Sequence, residues 1–457
     1  MIGNPEFRRN LWLELTPQRL IAAPIIAAIA AVALWQVEVM PTDMRRLFPV
    51  MAFVLLTAMW GSRHAADAVA EEISAGTWDF QRMSALGAWS MSWGKLLGAT
   101  IFDWYCGLFC LAIFIAASIA NAASDVALQV VVLVASGLLV HAMAMFGTLI
   151  HRWRRPDKRR IRAMWGQGLS FVALLFLLPF AWPNADYYKP EGYQWYGVNL
   201  DSKELLLLTL AVAVCWLSIG IYRLMRVELQ YRNLPWVWPA FLLFVTFYAG
   251  GFPSQLEFDS LGYVWLVILV VVSTGATYLA MLAEPKNTVR YRWFVDELKH
   301  RAWNRALVLT PLWLLSFGLA VVAGAASAII VSPIHPASRE LFENGAEFAT
   351  WPLIIAGIMF MTRDMAIMLF LNFGKQGRRG DVAATAYLFV CYSLLGSIVI
   401  AAKADFLFNF VMPFPRDNSM IVIFPPLAEA AIAAWLAWRR LMAQSAPAAM
   451  TPLSVAG

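Results

Sequence analysis

Long stretches without a single charged side chain dominate this sequence and fix what it can fold into. Leu20 to Val37, Trp104 to Ser124 and Leu261 to Ala283 each stay uncharged over about the 20 residues that a helix needs to cross a bilayer. Charged residues make up only 14% of the chain, against roughly a quarter in soluble domains, and they are bunched between the apolar runs. A soluble enzyme with one globular core, a disordered chain, a disulfide scaffold and a soluble nucleic-acid binder are thereby excluded. The expected fold is all-α, a polytopic transmembrane helix bundle.

Twelve candidate spans can be read, at about 20–37, 47–66, 94–118, 126–150, 164–182, 204–222, 235–251, 261–282, 306–330, 350–371, 382–402 and 420–438. With a cytoplasmic N-terminus, the inward segments collect 28 of the 35 Lys and Arg residues. Positive loops are retained on the cytoplasmic side, so both termini are expected inside, in a bacterial-type plasma (inner) membrane. The same rule accounts for the net charge of +6 without a nucleic-acid partner. It also accounts for most of the basic run from His151 to Arg160. No cleavable signal peptide is expected, because the first apolar run has full spanning length. The outward loop from Trp182 to Lys203, rich in Trp and Tyr, suits the headgroup interface. The stretch 443–457, rich in Ala, Pro and Ser, is expected to be a disordered tail. Cys106, Cys110, Cys215 and Cys391 all lie in apolar stretches and suggest neither a disulfide framework nor a metal site.

Residues 1–19 precede the first span. Phe7, Leu11 and Leu15 recur at helical spacing among Arg8, Arg9 and Glu14, which describes a short interfacial elbow helix before the chain turns inward at Thr16-Pro17. Between the second and third spans, segment 67–93 is far longer than a turn. It mixes Glu71, Glu72, Asp79 and Arg82 with Trp78, Phe80, Trp89 and Trp93. Large rings beside charges are what a protein contact needs, the rings for binding energy and the charges for orientation.

An elbow helix, two spans, and a cytoplasmic acidic segment with Gly76-Thr77 and a later Gly94-Lys95 together resemble the permease subunit of type-2 ATP-binding-cassette exporters. The resemblance covers roughly residues 5 to 225. It implies that Glu71, Glu72, Gly76, Thr77, Trp78 and Arg82, closed by Gly94 and Lys95, form the coupling segment that docks on a separate ABC ATPase subunit. The chain departs from the family pattern at Gly87, where a proline is frequent, and in having twelve spans rather than six. It contains no Gly-x4-Gly-Lys-Ser/Thr phosphate loop, so ATP and magnesium are expected on the partner and no cofactor in this chain.

Residues 20–232 then form a six-span permease-like bundle, 233–288 two linking spans, and 289–442 a four-span possible degenerate repeat. Asn10, Leu13, Leu15, Thr16 and Pro17 align with Asn304, Leu307, Leu309, Thr310 and Pro311, and Ser62-Arg63 with Thr362-Arg363. Internal repeats are common in transporters, and chance similarity of apolar segments is the competing explanation. Twelve spans are compatible with a fused pair or with half of a homodimer.

Polar residues at membrane depth are the other candidates. Glu429 follows Pro425-Pro426 and lies about 15 Å into the last span, counted back from Arg439 at 1.5 Å per residue. His141 sits at similar depth and is a possible partner for it. Asp103 and the Arg363-Asp364 pair lie nearer the cytoplasmic face, where structural charge pairing is the simpler role. These residues motivate a rival function, a proton-coupled secondary transporter. An integral-membrane enzyme acting on lipid is a third reading, although no catalytic or metal-ligand spacing is present.

Overall fold

A computed structural model describes residues 3–36, 42–84, 86–122, 125–154, 167–168, 170–171, 192–252, 261–331, 351–374, 379–404, 407, 410–411 and 420–443 of the 457-residue chain. Nine helices among the described residues are long and apolar enough to cross a membrane. The protein is a multi-pass helical bundle that divides into two compact units, Met1–Asn233 and Leu234–Gly457. The sequence-read linking spans and the four-span segment fall together in the second unit.

In the first unit, α1 is Pro5–Glu14. Asn4 caps it, its side-chain oxygen accepting from the N–H groups of Glu6 and Phe7. Pro5 fits at the first helical position because its missing N–H has no intrahelical acceptor there. Helix α2, Pro17–Gln36, follows. The second apolar run is one continuous rod made of α3 (Thr42–Phe53), a π-helical stretch (Val54–Trp60) and α4 (Gly61–Ser74). After the short α5 (Trp78–Arg82), the third run is divided at Ala99-Thr100 into α6 (Ala88–Gly98) and α7 (Ile101–Ala120). Then come α8 (Val126–Arg154) and α9 (Ser202–Glu228).

Helix α8 packs on α4 and on α9, with Ala65, Ala66, Val69, Met91, Met145 and Met225 at the centre. Small residues let the backbones approach, which in lipid supplies much of the packing energy. At Gly107 on α7, an added Cβ would stand 2.4 Å from Thr57 Oγ1 of the π-helical stretch. Between the eighth and ninth helices, Tyr193–Trp195 (β1) and Val198–Leu200 (β2) form an antiparallel hairpin. Its two-residue turn, Tyr196-Gly197, has positive φ at both positions (48° and 76°), the hairpin geometry for which glycine is favoured. The aromatic loop thus carries a β-hairpin that helical periodicity cannot reveal.

In the second unit, α10 (Val237–Ala249) has 13 residues and spans about 20 Å, short of a hydrocarbon core of roughly 30 Å. The seventh apolar run is therefore a short helix and not one of the nine. Helices α11 (Leu261–Ala283), α12 (Thr288–Lys299), α13 (Trp303–Leu309), α14 (Leu312–Val331) and α15 (Trp351–Asn372) follow. A further rod joins α16 (Gly380–Phe389), a π-helical stretch (Val390–Leu395) and α17 (Gly396–Ala401). The last helix, α18 (Phe424–Ala443), is entered through one 3-10 turn, Met420–Ile423. It carries Glu429, Arg439 and Arg440 and is not among the nine. Helix α11 packs along α14, and α15 along α18. The fifth apolar run (all but four residues of it), the basic run beyond Arg154, the loop from Trp182 to Glu191 and the tail from residue 444 lie outside the described residues.

Candidate functional site

Helix α4 runs to Ser74, so the first third of the 67–93 segment continues the second rod. Gly76, at φ 74°, turns the chain into α5. A left-handed residue is needed to end one helix and start another this closely, and glycine takes that conformation without a Cβ clash.

Trp78, expected as an exposed docking ring, is instead buried, with Lys95 Nζ 5.4 Å from its ring centre. Lys95 is 1% exposed on α6. Its ammonium donates to Glu6 Oε1 of α1 at 3.0 Å and to Glu72 Oε2 at the end of α4. Arg9 of α1 donates to the same two carboxylates, at 3.1 Å to Glu6 and 2.9 Å to Glu72. Gln81 of α5 adds a 2.5 Å bond to Glu72. Two cations thus meet two anions, and the clasp fixes α1, α4, α5 and α6 to one another. Removing one member of such a buried set leaves an uncompensated charge, which costs far more than an exposed pair contributes.

The clasp requires α1 to lie almost on the backbone of α6. Gly94 and Gly98, four residues apart, provide the groove: a Cβ on either would come within 2.7 Å of Glu6 Cβ or Asn10 Cβ. Asn4 and Asn10 stitch the contact by donating to the carbonyls of Ser90 (2.6 Å) and Gly94 (3.4 Å). Of the residues singled out in the sequence, Glu72, Trp78, Gly94 and Lys95 therefore form the inner anchor, whereas Glu71, Gly76 and Thr77 stay exposed. Arg82 is half-buried and pairs with Asp79 at 3.3 Å. Phe80 and Met83, 73% and 75% exposed, stand on the outer face beside Asp79. The result is a small helical knuckle with an apolar tip, an acidic edge and a rigid root. Glu6 and Arg9 are members that sequence reasoning missed, since the Lys95–Glu6 contact joins residues 89 apart.

Deeper in the first unit, Asp103 of α7 meets His64 of α4 at 2.8 Å. The Trp60 indole N–H donates to His64 Nε2 at 3.2 Å, which leaves the neutral imidazole its proton on Nδ1, facing Asp103. His141 on α8 is fully buried and donates from Nε2 to the Thr57 carbonyl at 2.7 Å. That carbonyl belongs to the π-helical stretch, where the wider turn alters the backbone hydrogen-bond pattern. Gly61 makes room for the ring, since a Cβ there would fall 2.3 Å from His141 Nε2.

The second unit holds its own network. Arg363 on α15 grips its neighbour Asp364 through Nε and a terminal nitrogen, at 3.1 and 3.0 Å, and reaches Glu429 of α18 at 2.7 Å. Tyr278 and Tyr392 both donate to the other Asp364 oxygen, at 2.7 and 2.6 Å. Tyr392 lies in the second π-helical stretch. His141 and Glu429 each have a hydrogen-bond partner within their own unit, Thr57 and Arg363 respectively. Asp364 is fully satisfied, whereas Glu429 remains 31% exposed and holds one bond to Arg363.

This unit also has a clasp. Lys286, before α12, donates to Asp381 of α16 at 2.7 Å, and Asn372 at the end of α15 donates to the same oxygen at 3.0 Å. Gly380 again admits the close approach, a Cβ there lying 2.8 Å from Asn372 Cα. Among the described residues no group of three His, Cys, Asp or Glu side chains is arranged to hold a metal ion, and the four cysteines are free. No protein-family model, curated protein or solved structure matches the chain.

Proposed function

We propose that the chain is the membrane permease of an ATP-driven exporter and that the α5 knuckle docks on a separate ATP-binding-cassette ATPase. The observation that carries this reading is the knuckle itself, an exposed Phe80–Met83 tip with Asp79 between Trp78 and Phe80 and an exposed Glu71 near the end of α4, rooted by Trp78 and the Glu6–Arg9–Glu72–Lys95 clasp. A docking element that transmits force needs a tip a partner can grip and a root that does not yield. The clasp supplies the second property by linking the knuckle to two rods and to α1.

In this reading α1 is the interfacial elbow, both termini face the cytoplasm, the membrane is a bacterial-type plasma membrane and ATP with magnesium binds the partner. The span count is twelve if the fifth apolar run, the short helix α10 and α18 complete the bundle. Either a fused pair or half of a homodimer would supply a two-sided path. Closure of the ATPases on ATP would push the knuckle, and the α4 and α6 rods would carry that displacement to the bundle.

Purification from mild detergent followed by mass spectrometry of co-purifying subunits tests the proposal. Phe80→Glu and Glu71→Arg alter only the exposed face, so both variants should fold and lose a Walker-motif ATPase. A central aromatic is worth about 2 kcal/mol or more in such contacts, so Phe80→Glu should weaken association at least roughly thirtyfold. Retention of the ATPase by both variants, or purification of an active transporter alone, would sink the idea.

A second reading, a self-contained proton-coupled transporter, is favoured by the half-exposed Glu429 beside the Arg363–Asp364 pair in an apolar bundle. It requires gradient-driven uptake by the purified chain that Glu429→Gln abolishes.

A further inference from the structure

We infer that the α12–α13 segment of the second unit is a binding surface for anionic phospholipid headgroups. The two flanking spans confine it to one membrane face. Glu284, just after α11, accepts from the backbone N–H groups of Leu312 and Trp313 at the start of α14, at 2.8 and 3.3 Å. The chain therefore leaves one span and re-enters the next at the same point. Everything between is held at that end of the bundle, within reach of the headgroup layer.

One face of this excursion is packed. Tyr291 is buried against Phe373, with ring centres 5.3 Å apart, and its hydroxyl accepts from the Trp313 indole N–H at 2.8 Å. Elsewhere in the segment Val289, Trp293 and Trp303 are exposed, at 46%, 62% and 63%. Tryptophan in this setting is stable at the headgroup level, where the ring meets acyl chains and the N–H meets water.

The charge supplies the specificity. From Lys286 to Arg305 there are six Lys and Arg residues against Asp296 and Glu297. Lys286 is committed to Asp381, Asp296 faces His300 at 3.6 Å and Glu297 faces Arg305 at 3.8 Å. Arg290 is near Glu284. Arg292, Lys299 and Arg301 make no ion pair among the described residues, and the buried Nε of Arg292 has no hydrogen-bond acceptor. Three unmatched cations in the same segment as two exposed indoles suit a phosphodiester on a lipid, where charge and acyl chain are met together. Helix α1 offers a smaller surplus: Arg9 is tied to Glu6 and Glu72, and only Arg8 stands outside the ion pairs among the described residues.

The test uses the full chain purified in neutral detergent, with thermal unfolding followed during titration by phosphatidylglycerol, by phosphatidylcholine and by inorganic phosphate. Phosphatidylglycerol should stabilise the protein where the other two do not. In the combined variant Arg292→Gln, Lys299→Gln, Arg301→Gln, the half-saturating lipid concentration should rise on the order of fivefold for each cation removed. Because that variant could misfold, Trp293→Phe and Trp303→Phe are measured separately with brominated phosphatidylglycerol, and each should lose part of the wild-type fluorescence quenching. Equal stabilisation by phosphatidylcholine, or an unchanged titration in the charge variant, overturns the inference. Stabilisation by inorganic phosphate alone would show a free-ion site, and no effect of phosphatidylglycerol would leave an acidic protein as the occupant; both also overturn it.

Discussion

The two units solve the same local problem with opposite charges. In the first, a lysine on the rod after the second span, Lys95, is held by carboxylates from α1 and from the end of α4. In the second, the corresponding rod offers a carboxylate, Asp381, held by Lys286 from the segment before α12 and by Asn372 at the end of α15. A glycine immediately before the charged residue, Gly94 or Gly380, opens the gap in both cases. What is common is the placement of a buried opposite-charge contact at the foot of three helices, whereas the sign of each partner is free to change. What differs is reach. Only the first clasp extends, among the described residues, through Gln81 and Trp78 into an exposed knuckle.

The largest effect should come from removing a clasp cation. Lys95→Met leaves the buried Glu6 without its buried counter-charge, served only by the partly exposed Arg9, and should cost roughly 3–5 kcal/mol of unfolding free energy. Thermal or denaturant unfolding in detergent measures it. The sharper version transplants the second unit's pattern: Glu6→Lys with Glu72→Asn and Lys95→Asp should recover a large share of what Lys95→Asp alone loses. No recovery would mean that the two clasps are alike only in appearance.

Arg363→Met should cost a comparable amount in the second unit, because Asp364 would keep its two tyrosine donors while losing its counter-charge. His64→Ala in the first unit should cost less, about 1–3 kcal/mol, since a neutral imidazole there serves Asp103 through one hydrogen bond. If the two variants proved equally damaging, the contrast between an ionic and a neutral intramembrane network would be lost.

Overpacking the glycine contacts comes next. Gly94→Ala and Gly98→Ala should each destabilise by about 1–3 kcal/mol, because α1 must retreat from α6. Gly87→Ala, at a position open on all sides with no neighbour within 4 Å, serves as the control and should be close to neutral. Release of α1 by Gly94→Ala should also weaken any knuckle-dependent ATPase binding, although Gly94 is remote from the exposed tip.

Much of this architecture was legible in uncharged runs, because a stretch of some 20 apolar residues has no stable form in lipid other than a helix. The division of the third run at Ala99-Thr100, the π-helical turns at Thr57 and Tyr392 and the shortness of α10 leave no mark in hydropathy. Lys95 and Glu72 were recognisable as a pair of interest by their resemblance to a coupling segment, but their inward orientation was not. Trp78 and Phe80 lie two residues apart, and nothing in their identity says which becomes the buried root and which the exposed tip. The alignment of Ser62-Arg63 with Thr362-Arg363 uses an offset that also brings Glu72 to Asn372, the two helix-end members of the clasps. That correspondence was hidden because Glu72 is charged and Asn372 is a neutral amide, so the aligned residues share no charge pattern.

The smallest expected effect concerns Glu284, which ties the end of α11 to the start of α14 in the second unit. Burial pushes the Glu284 carboxyl above its ordinary value of about 4.5, against the opposing pull of the Leu312 and Trp313 N–H groups. A carboxyl whose proton is held more tightly in the folded than in the unfolded protein contributes stability that is full below about pH 4.5 and is lost as pH rises through the folded value. Glu284→Gln keeps an oxygen to accept from α14 and has no proton to lose. The wild-type melting temperature should therefore fall more steeply than that of the variant as pH is raised from 4.5 through the folded value, with the two curves closest at the acidic end. Parallel curves would mean that Glu284 is an ionised helix cap comparable to an exposed one, and the two ends of α11 and α14 would then be joined by charge and not by a buried hydrogen-bonded acid.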